Sequence, residues 1–231
     1  MLAINNISFA YGMVQALRGV TMKFAPGKVT CVIGRNGVGK TTLMQTIMGI
    51  RRHNSGSVQL GERDVSSLPA NRRAKAGIAL VPQGRQIFAK LSVEENLRVG
   101  LQARSDGKKT IPEDIFELFP VLKQMSKRNG GDLSGGQQQQ LAIGRALAGD
   151  PKVLLLDEPT EGIQPNVITQ IGHVLQKLVT ERGMTVILVE QYLDFVKEFG
   201  HAFYIMNRGK VVSEGPTTEL TEEVIERHLH V

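Results

Sequence analysis

Lys40, Asp157 and Glu158 are one cation and two carboxylates, side chains of the types that phosphate chemistry uses. Gly34-Arg35-Asn36-Gly37-Val38-Gly39-Lys40-Thr41-Thr42 reads G-x-x-x-x-G-K-T. Glycines at 34, 37 and 39 permit backbone angles that aim successive N–H groups at phosphate oxygens. Lys40 adds a point charge toward the terminal phosphates, and the Thr41 hydroxyl can coordinate Mg²⁺. Downstream, four apolar residues, Val153-Leu154-Leu155-Leu156, end in Asp157 and Glu158. A carboxylate there emerges at the C-terminal end of a strand, where ligands sit in α/β sheets. Between the two lies Leu133-Ser134-Gly135-Gly136-Gln137. Ser134 is a candidate N-cap for the helical pattern Leu141, Ile143, Ala146, Leu147, and its glycines let N–H groups approach an anion.

The flanking pattern supplies elements to position these groups. Residues 28–33 form an apolar strand feeding the phosphate loop. Leu43, Ile47 and Ile50 then recur at helical spacing, predicting a helix over 41–50. That helix turns its positive N-terminal end toward the same phosphates. Residues 2–4 and 19–24 read as strands of an antiparallel edge sheet, and 77–81 as a buried strand ended by Pro82. The character changes over about 85–141. Ser92-Val93-Glu94-Glu95 is a capping box, and Ile111-Pro112-Glu113-Asp114 starts a helix that Pro120 interrupts. The core resumes with strands 153–156 and 185–189, joined by a helix over 168–182. Residues 204–206 and 211–212 form a hairpin, and 221–229 a short helix with Val224, Ile225, His228 and Leu229 inward. The expectation is an α/β fold with an antiparallel β flank, residues 1–85 and 142–231 being the core and 86–141 a helical subdomain.

At 231 residues with 41% hydrophobic content, the chain supports one sizeable core. No apolar run approaches the roughly 18 residues needed to span a bilayer, and the N-terminus lacks a signal-peptide pattern. The expected location is therefore the cytoplasm. The net charge of +6 comes from scattered basic residues without interleaved aromatics, so no nucleic-acid partner is expected. Cys31 has no partner for an intramolecular disulfide and sits in the apolar run 29–33, as a buried strand thiol. The histidines show no metal-ligand spacing except His228-x-His230, and no serine or cysteine triad is visible.

The three motifs in this order resemble the ATP-binding cassette (ABC) ATPases, and the resemblance runs from about Leu2 to the C-terminus. It implies an α/β P-loop nucleotidase core that binds ATP and Mg²⁺ and hydrolyses ATP. Asp157 would hold Mg²⁺ through a water, and Glu158 would be the general base. Gln83 matches the glutamine that contacts Mg²⁺ and the attacking water, and Tyr11 the aromatic that stacks on adenine. Gly34, Asn36, Gly37, Val38, Gly39, Lys40, Thr41 and Thr42 would cradle the phosphates. Ser134, Gly135, Gly136 and Gln137 would complete the ATP site of a second subunit, the same chain or a paralogue.

Two departures from that family's pattern stand out. Gln191 occupies the position of the usual γ-phosphate histidine; its amide can donate a hydrogen bond but cannot carry charge. Glu161-Gly162-Ile163-Gln164 replaces the usual Ser-Ala-Leu-Asp, so the aspartate that often bridges the dimer is missing. Val189-Glu190-Gln191 and the Glu-Gly-Ile-Gln-Pro segment resemble the ATPases of branched-chain amino-acid and urea importers. Residues 131–141 with Glu226-Arg227-His228-Leu229 look most like the urea-type branch. The resemblance implies membrane permease subunits as partners on the inner face of the plasma membrane, with a periplasmic binding protein acting indirectly. An exporter or lipid-transporter ATPase, or a soluble non-transport one, are the alternatives.

Overall fold

The computed structural model of the chain describes residues 1–229, and the strands among them form two sheets. In the first, β1 (Leu2–Tyr11) lies between β2 (Val14–Phe24) and β4 (Ser55–Leu60), with β5 (Arg63–Asp64) at the edge, all antiparallel. Leu2 and Ile4 point inward, and then Ile7 and Phe9 do, so the alternation slips by one residue. A bulge absorbs the slip, with Asn6 at φ 51°. That break explains why the period-2 signal ends at Ile4 although the strand runs to Tyr11.

The second sheet has the order β10-β9-β3-β8-β7-β6. Its parallel centre is β3 (Val29–Ile33), β8 (Thr185–Val189), β7 (Val153–Asp157) and β6 (Ile78–Val81). β9 (Ala202–Asn207) runs parallel to β3, and β10 (Lys210–Pro216) returns as its hairpin partner. Every residue of β3, β7 and β8 is buried, as expected of parallel strands covered on both faces. On one face Val32, Leu155 and Ile187 pack with the first sheet and with α1 (Lys40–Met48). On the other, Cys31, Leu154, Leu156 and Leu188 pack with α6 (Gly135–Ala148) and α7 (Pro165–Arg182).

Between β6 and β7 the chain is mainly helical: α3 (Val93–Gly100), α4 (Glu113–Leu118) and α5 (Pro120–Gln124) pack around α6. Gly144 allows the close approach. A Cβ there would lie 3.0–3.2 Å from Leu122, Ile115 and Leu97 side chains. Ser92 caps α3 in a capping box with Glu95, and Pro120 ends one helix by starting the next.

Several expected boundaries move. The helix expected over 41–50 stops at Met48, because Gly49 adopts φ 81° and turns Ile50 out to solvent. The boundary expected at 141 falls inside α6, a continuous helix that leads from the helical segment back toward β7. The helix expected from 168 begins at Pro165, a favoured first position. Other elements were not anticipated, among them β4, α2 (Ala70–Ala76) and α8 (Leu193–Phe199). α9 (Glu222–Leu229) buries Ile225, with Val224 and Leu229 packed against the core. The His228-x-His230 pair lies partly outside the described residues, since His230 is beyond them.

Candidate functional site

The C-terminal ends of β3, β6, β7 and β8 converge on one cleft, because parallel strands deliver their following loops to the same edge of the sheet. The cleft encloses about 630 Å³ and is lined by Tyr11, Lys40, Thr41, Gln83, Glu158 and Arg208, among others. Gly39 starts α1 at φ 108°, and a Cβ there would lie 2.7 Å from the Ala16 carbonyl oxygen, so only glycine fits. Val38 is buried and its carbonyl accepts from Gly209 N at 3.0 Å, which pins the loop to the β9–β10 hairpin.

Lys40 is 5% exposed and lies across its own loop. Its Nζ donates to the carbonyl oxygens of Gly34 at 2.7 Å and Arg35 at 3.0 Å, and is 3.8 Å from Glu158 Oε1. Burial pulls this ammonium below the usual lysine value, while Glu158 and Asp157 oppose the shift. Asp157 closes β7, is buried, and has an Oδ1 with no hydrogen-bond partner. Burial pushes its carboxyl above the ordinary aspartate value, with the Thr41 hydroxyl opposing. A buried, unpartnered carboxylate oxygen beside a hydroxyl is an all-oxygen donor set that suits a hard cation such as Mg²⁺.

Glu158 leaves the strand at φ 49°, a left-handed conformation that strains a non-glycine residue. Its N–H donates to the Val189 carbonyl at 2.9 Å. Its two carboxylate oxygens are divided between two amides. Oε2 accepts from Gln83 Nε2 at 3.1 Å, and Oε1 accepts from Gln191 Nε2 at 2.6 Å. Gln191 Nε2 also donates to Asn36 Oδ1 at 2.8 Å, and Gln83 Nε2 to Glu161 Oε2 at 3.0 Å. Three loops thus meet on one carboxylate, next to the lysine of a fourth.

Tyr11 borders the same cleft, its hydroxyl 3.3 Å from Thr42 Oγ1 and its ring edge-on to Phe9 at 4.8 Å. At 42% exposure it is an accessible aromatic face rather than a core tyrosine, and the Arg51 guanidinium sits 5.3 Å from its ring centre. Ser134, Gly135, Gly136 and Gln137 do not line this cleft. They form the N-terminus of α6, where Ser134 Oγ accepts from Gln137 N at 3.4 Å and Gln137 Oε1 accepts from Ser134 N at 3.0 Å.

Three groups at the site were not singled out in the sequence. Arg208 lies in the turn between β9 and β10, which the sequence identified as a hairpin turn without assigning the residue a role. Glu161 was read only as the first residue of the segment that replaces Ser-Ala-Leu-Asp, although it brings a carboxylate to Gln83. Glu190 was read only as part of a string, although a glutamate directly after four apolar strand residues is itself a signal.

The chain matches the family model described as ABC transporter over residues 17–161. It is 39% identical over 213 residues to the high-affinity branched-chain amino acid transport ATP-binding protein BraG of Pseudomonas aeruginosa, covering 92% of this chain and 91% of that protein. To the probable branched-chain amino acid transport ATP-binding protein LivF of Archaeoglobus fulgidus it is 36% identical over 225 residues, covering 96% and 94%. The crystal structure of a nucleotide-free ATP-binding cassette from an ABC transporter superposes with a TM-score of 0.84 at 30% identity, over 97% of this chain and 93% of that one.

Proposed function

We propose that this chain, which belongs to the ABC transporter family of ATPases, energises the import of branched-chain amino acids through a separate membrane permease. The observation that carries the catalytic part is the Glu158 carboxylate, held by Gln83 and Gln191 beside Lys40 at the mouth of the phosphate loop.

In this reading the adenine stacks on Tyr11, and the phosphates settle over Gly34, Asn36, Gly37, Val38, Gly39 and Thr42. Phosphate oxygens replace the Gly34 and Arg35 carbonyls as acceptors for Lys40. Glu158 orients a water in line with the terminal phosphorus and takes its proton as the bond to the leaving oxygen breaks. Gln191 donates to the terminal phosphate through its amide, and Gln83 orients both Glu158 and the water. Mg²⁺ would be held by Thr41, Gln83 and, through water, Asp157, and when bound it supplies neutralisation of phosphate charge. Ser134, Gly135, Gly136 and Gln137 reach the ATP of a second subunit, so that ATP closes a head-to-tail pair and hydrolysis reopens it.

No helix among the described residues is long and apolar enough to cross a membrane, and in this reading a separate permease supplies the transport path. A groove of about 660 Å³ supports the permease contact. It runs between the sheet and the helical segment, and is lined by Met48, Ile50, Ala79, Phe88, Val99 and Arg145, among others. Phe88 and Val99 remain 48% and 39% exposed there, which is costly unless another apolar surface covers them. The docked chain therefore sits at the inner face of the membrane, with a periplasmic binding protein delivering substrate on the other side. The names of both relatives above favour branched-chain amino acids over the urea branch.

Uptake of radiolabelled leucine and urea, measured in cells lacking the chain, tests the reading. Leucine uptake should be lost, and restored by the intact chain but not by Glu158→Gln. Loss of urea uptake alone would move the chain to the urea branch. Loss of an export activity with both uptakes unchanged would overturn the importer reading.

A further inference from the structure

Glu190 follows β8 and is 2% exposed, yet it pairs with no cation at hydrogen-bond distance among the described residues. Instead both its oxygens are filled by donors from two loops. Oε1 accepts from Thr160 N at 3.1 Å and Thr160 Oγ1 at 2.7 Å. Oε2 accepts from Gln191 N at 3.0 Å and Tyr192 N at 3.3 Å. Its own N–H donates to the Val32 carbonyl at 3.3 Å, on the strand that enters the phosphate loop. Burial pushes this carboxyl above the ordinary glutamate value, and the four donors oppose that shift. Charged acceptors make the stronger hydrogen bonds, and four converging donors have no use for a protonated oxygen.

The consequence falls on the neighbours. Glu158 is held in a strained backbone conformation, which persists only where the surroundings over-determine it. The Glu158 N–H is anchored to Val189 on one side, and the Thr160 N–H and hydroxyl are anchored to Glu190 on the other. The same carboxylate fixes the backbone of Gln191, whose side chain reaches 2.6 Å from Glu158 Oε1. We propose that Glu190 is a positioning residue for ATP hydrolysis. Its buried carboxylate ties the turn carrying Glu158 to the loop carrying Gln191, so that the two side chains keep one geometry around the reacting phosphate. This rests on the roles assigned above to Glu158 and Gln191.

Glu190→Gln tests it, because it keeps the shape but presents an NH₂ to N–H donors. ATP turnover and ATP affinity are measured on the full chain, with Glu158→Gln and Gln191→Ala as references. The expected result is a fall in kcat of about tenfold or more, with ATP affinity within about threefold, since misplacing a catalytic group costs rate before binding. On the Gln191→Ala background the same change should lower kcat by less than about twofold, because one unit is already broken. Turnover within about twofold of the parent, or full multiplication of the two effects, overturns the proposal. Should Glu190→Gln fail to fold, Thr160→Val removes one of the four bonds and decides instead. It should lower kcat about threefold with affinity retained, and an unchanged kcat overturns the proposal. Normal turnover in Glu158→Gln would sink the base assignment itself, which is a different failure.

Discussion

At the scale of residues, Lys40 and Asp157 are the groups on which the proposed binding of phosphate and Mg²⁺ rests. Lys40 is buried against carbonyls of its own loop. Lys40→Ala should therefore weaken ATP binding by about tenfold or more and reduce turnover as well, measured by nucleotide titration and steady-state rates. Asp157 is buried beside Glu158 and Glu190, two further carboxylates, with Lys40 as the nearby cation. Its folded-state pKa is raised, so its contribution to stability is present below the unfolded value and lost as pH rises through the folded one. Above that folded value the protein carries a buried charge that Asn would not. Asp157→Asn should raise the thermal midpoint by a few degrees at pH 8 without nucleotide, on the order of 1 kcal/mol, and the gain should vanish toward pH 4. A lower midpoint at pH 8 would mean that the carboxylate has structural partners that its unpaired Oδ1 does not suggest.

Among the elements, α1 matters most, since it presents Lys40, Thr41 and Thr42 from its first turn. Its far end is held by Arg73 of α2, which is 1% exposed and bonds four backbone carbonyls: Thr46, Ile47, Ser66 and Leu68. The carbonyl end of a helix carries partial negative charge, so this cation caps it without a carboxylate. Arg73→Ala should cost about 3 kcal/mol, because it strands several buried acceptors, and lower the thermal midpoint by roughly 6–12 °C. A midpoint within 2 °C of the parent, at that scale, would contradict the cap. Nothing local in Ala-Asn-Arg-Arg-Ala-Lys-Ala announced α2, because the segment lacks an apolar stripe and buries mainly an arginine. Glu190 and Thr160 were hidden for a related reason: their bond joins positions 30 residues apart. By contrast the phosphate loop, the Ser92 capping box, the Ser134 N-cap and the Asp157-Glu158 strand end were readable, since each is specified within one short window. The tight strands β3, β7 and β8 were readable as apolar runs, while the bulge at Asn6 masked most of β1.

For the whole molecule, the placement of its surfaces favours an engine that acts on something else. The cleft carrying Glu158 lies at one edge of the parallel sheet, and the apolar groove with Phe88 lies between the core and the helical segment. Gln83 lines the first and Gln86 the second, three residues further along the same loop. Arg145 of α6 donates to the Gln86 carbonyl at 2.9 Å and stands over the Phe88 ring, so the loop that carries Gln83 is joined to the groove wall. Phe88→Asp should consequently leave ATP affinity within about twofold while abolishing substrate uptake, because it would spoil the docking surface proposed for the permease and not the nucleotide site. Equal loss of ATP affinity would place Phe88 in the nucleotide site instead. The central claim is that hydrolysis at Glu158 drives transport. It is tested most directly by Glu158→Gln together with the permease in proteoliposomes, following ATP binding, ATP turnover and leucine uptake in one preparation. The account predicts ATP affinity within about threefold of the parent, with turnover and uptake both reduced by about 100-fold or more. Turnover at the parental rate would contradict it.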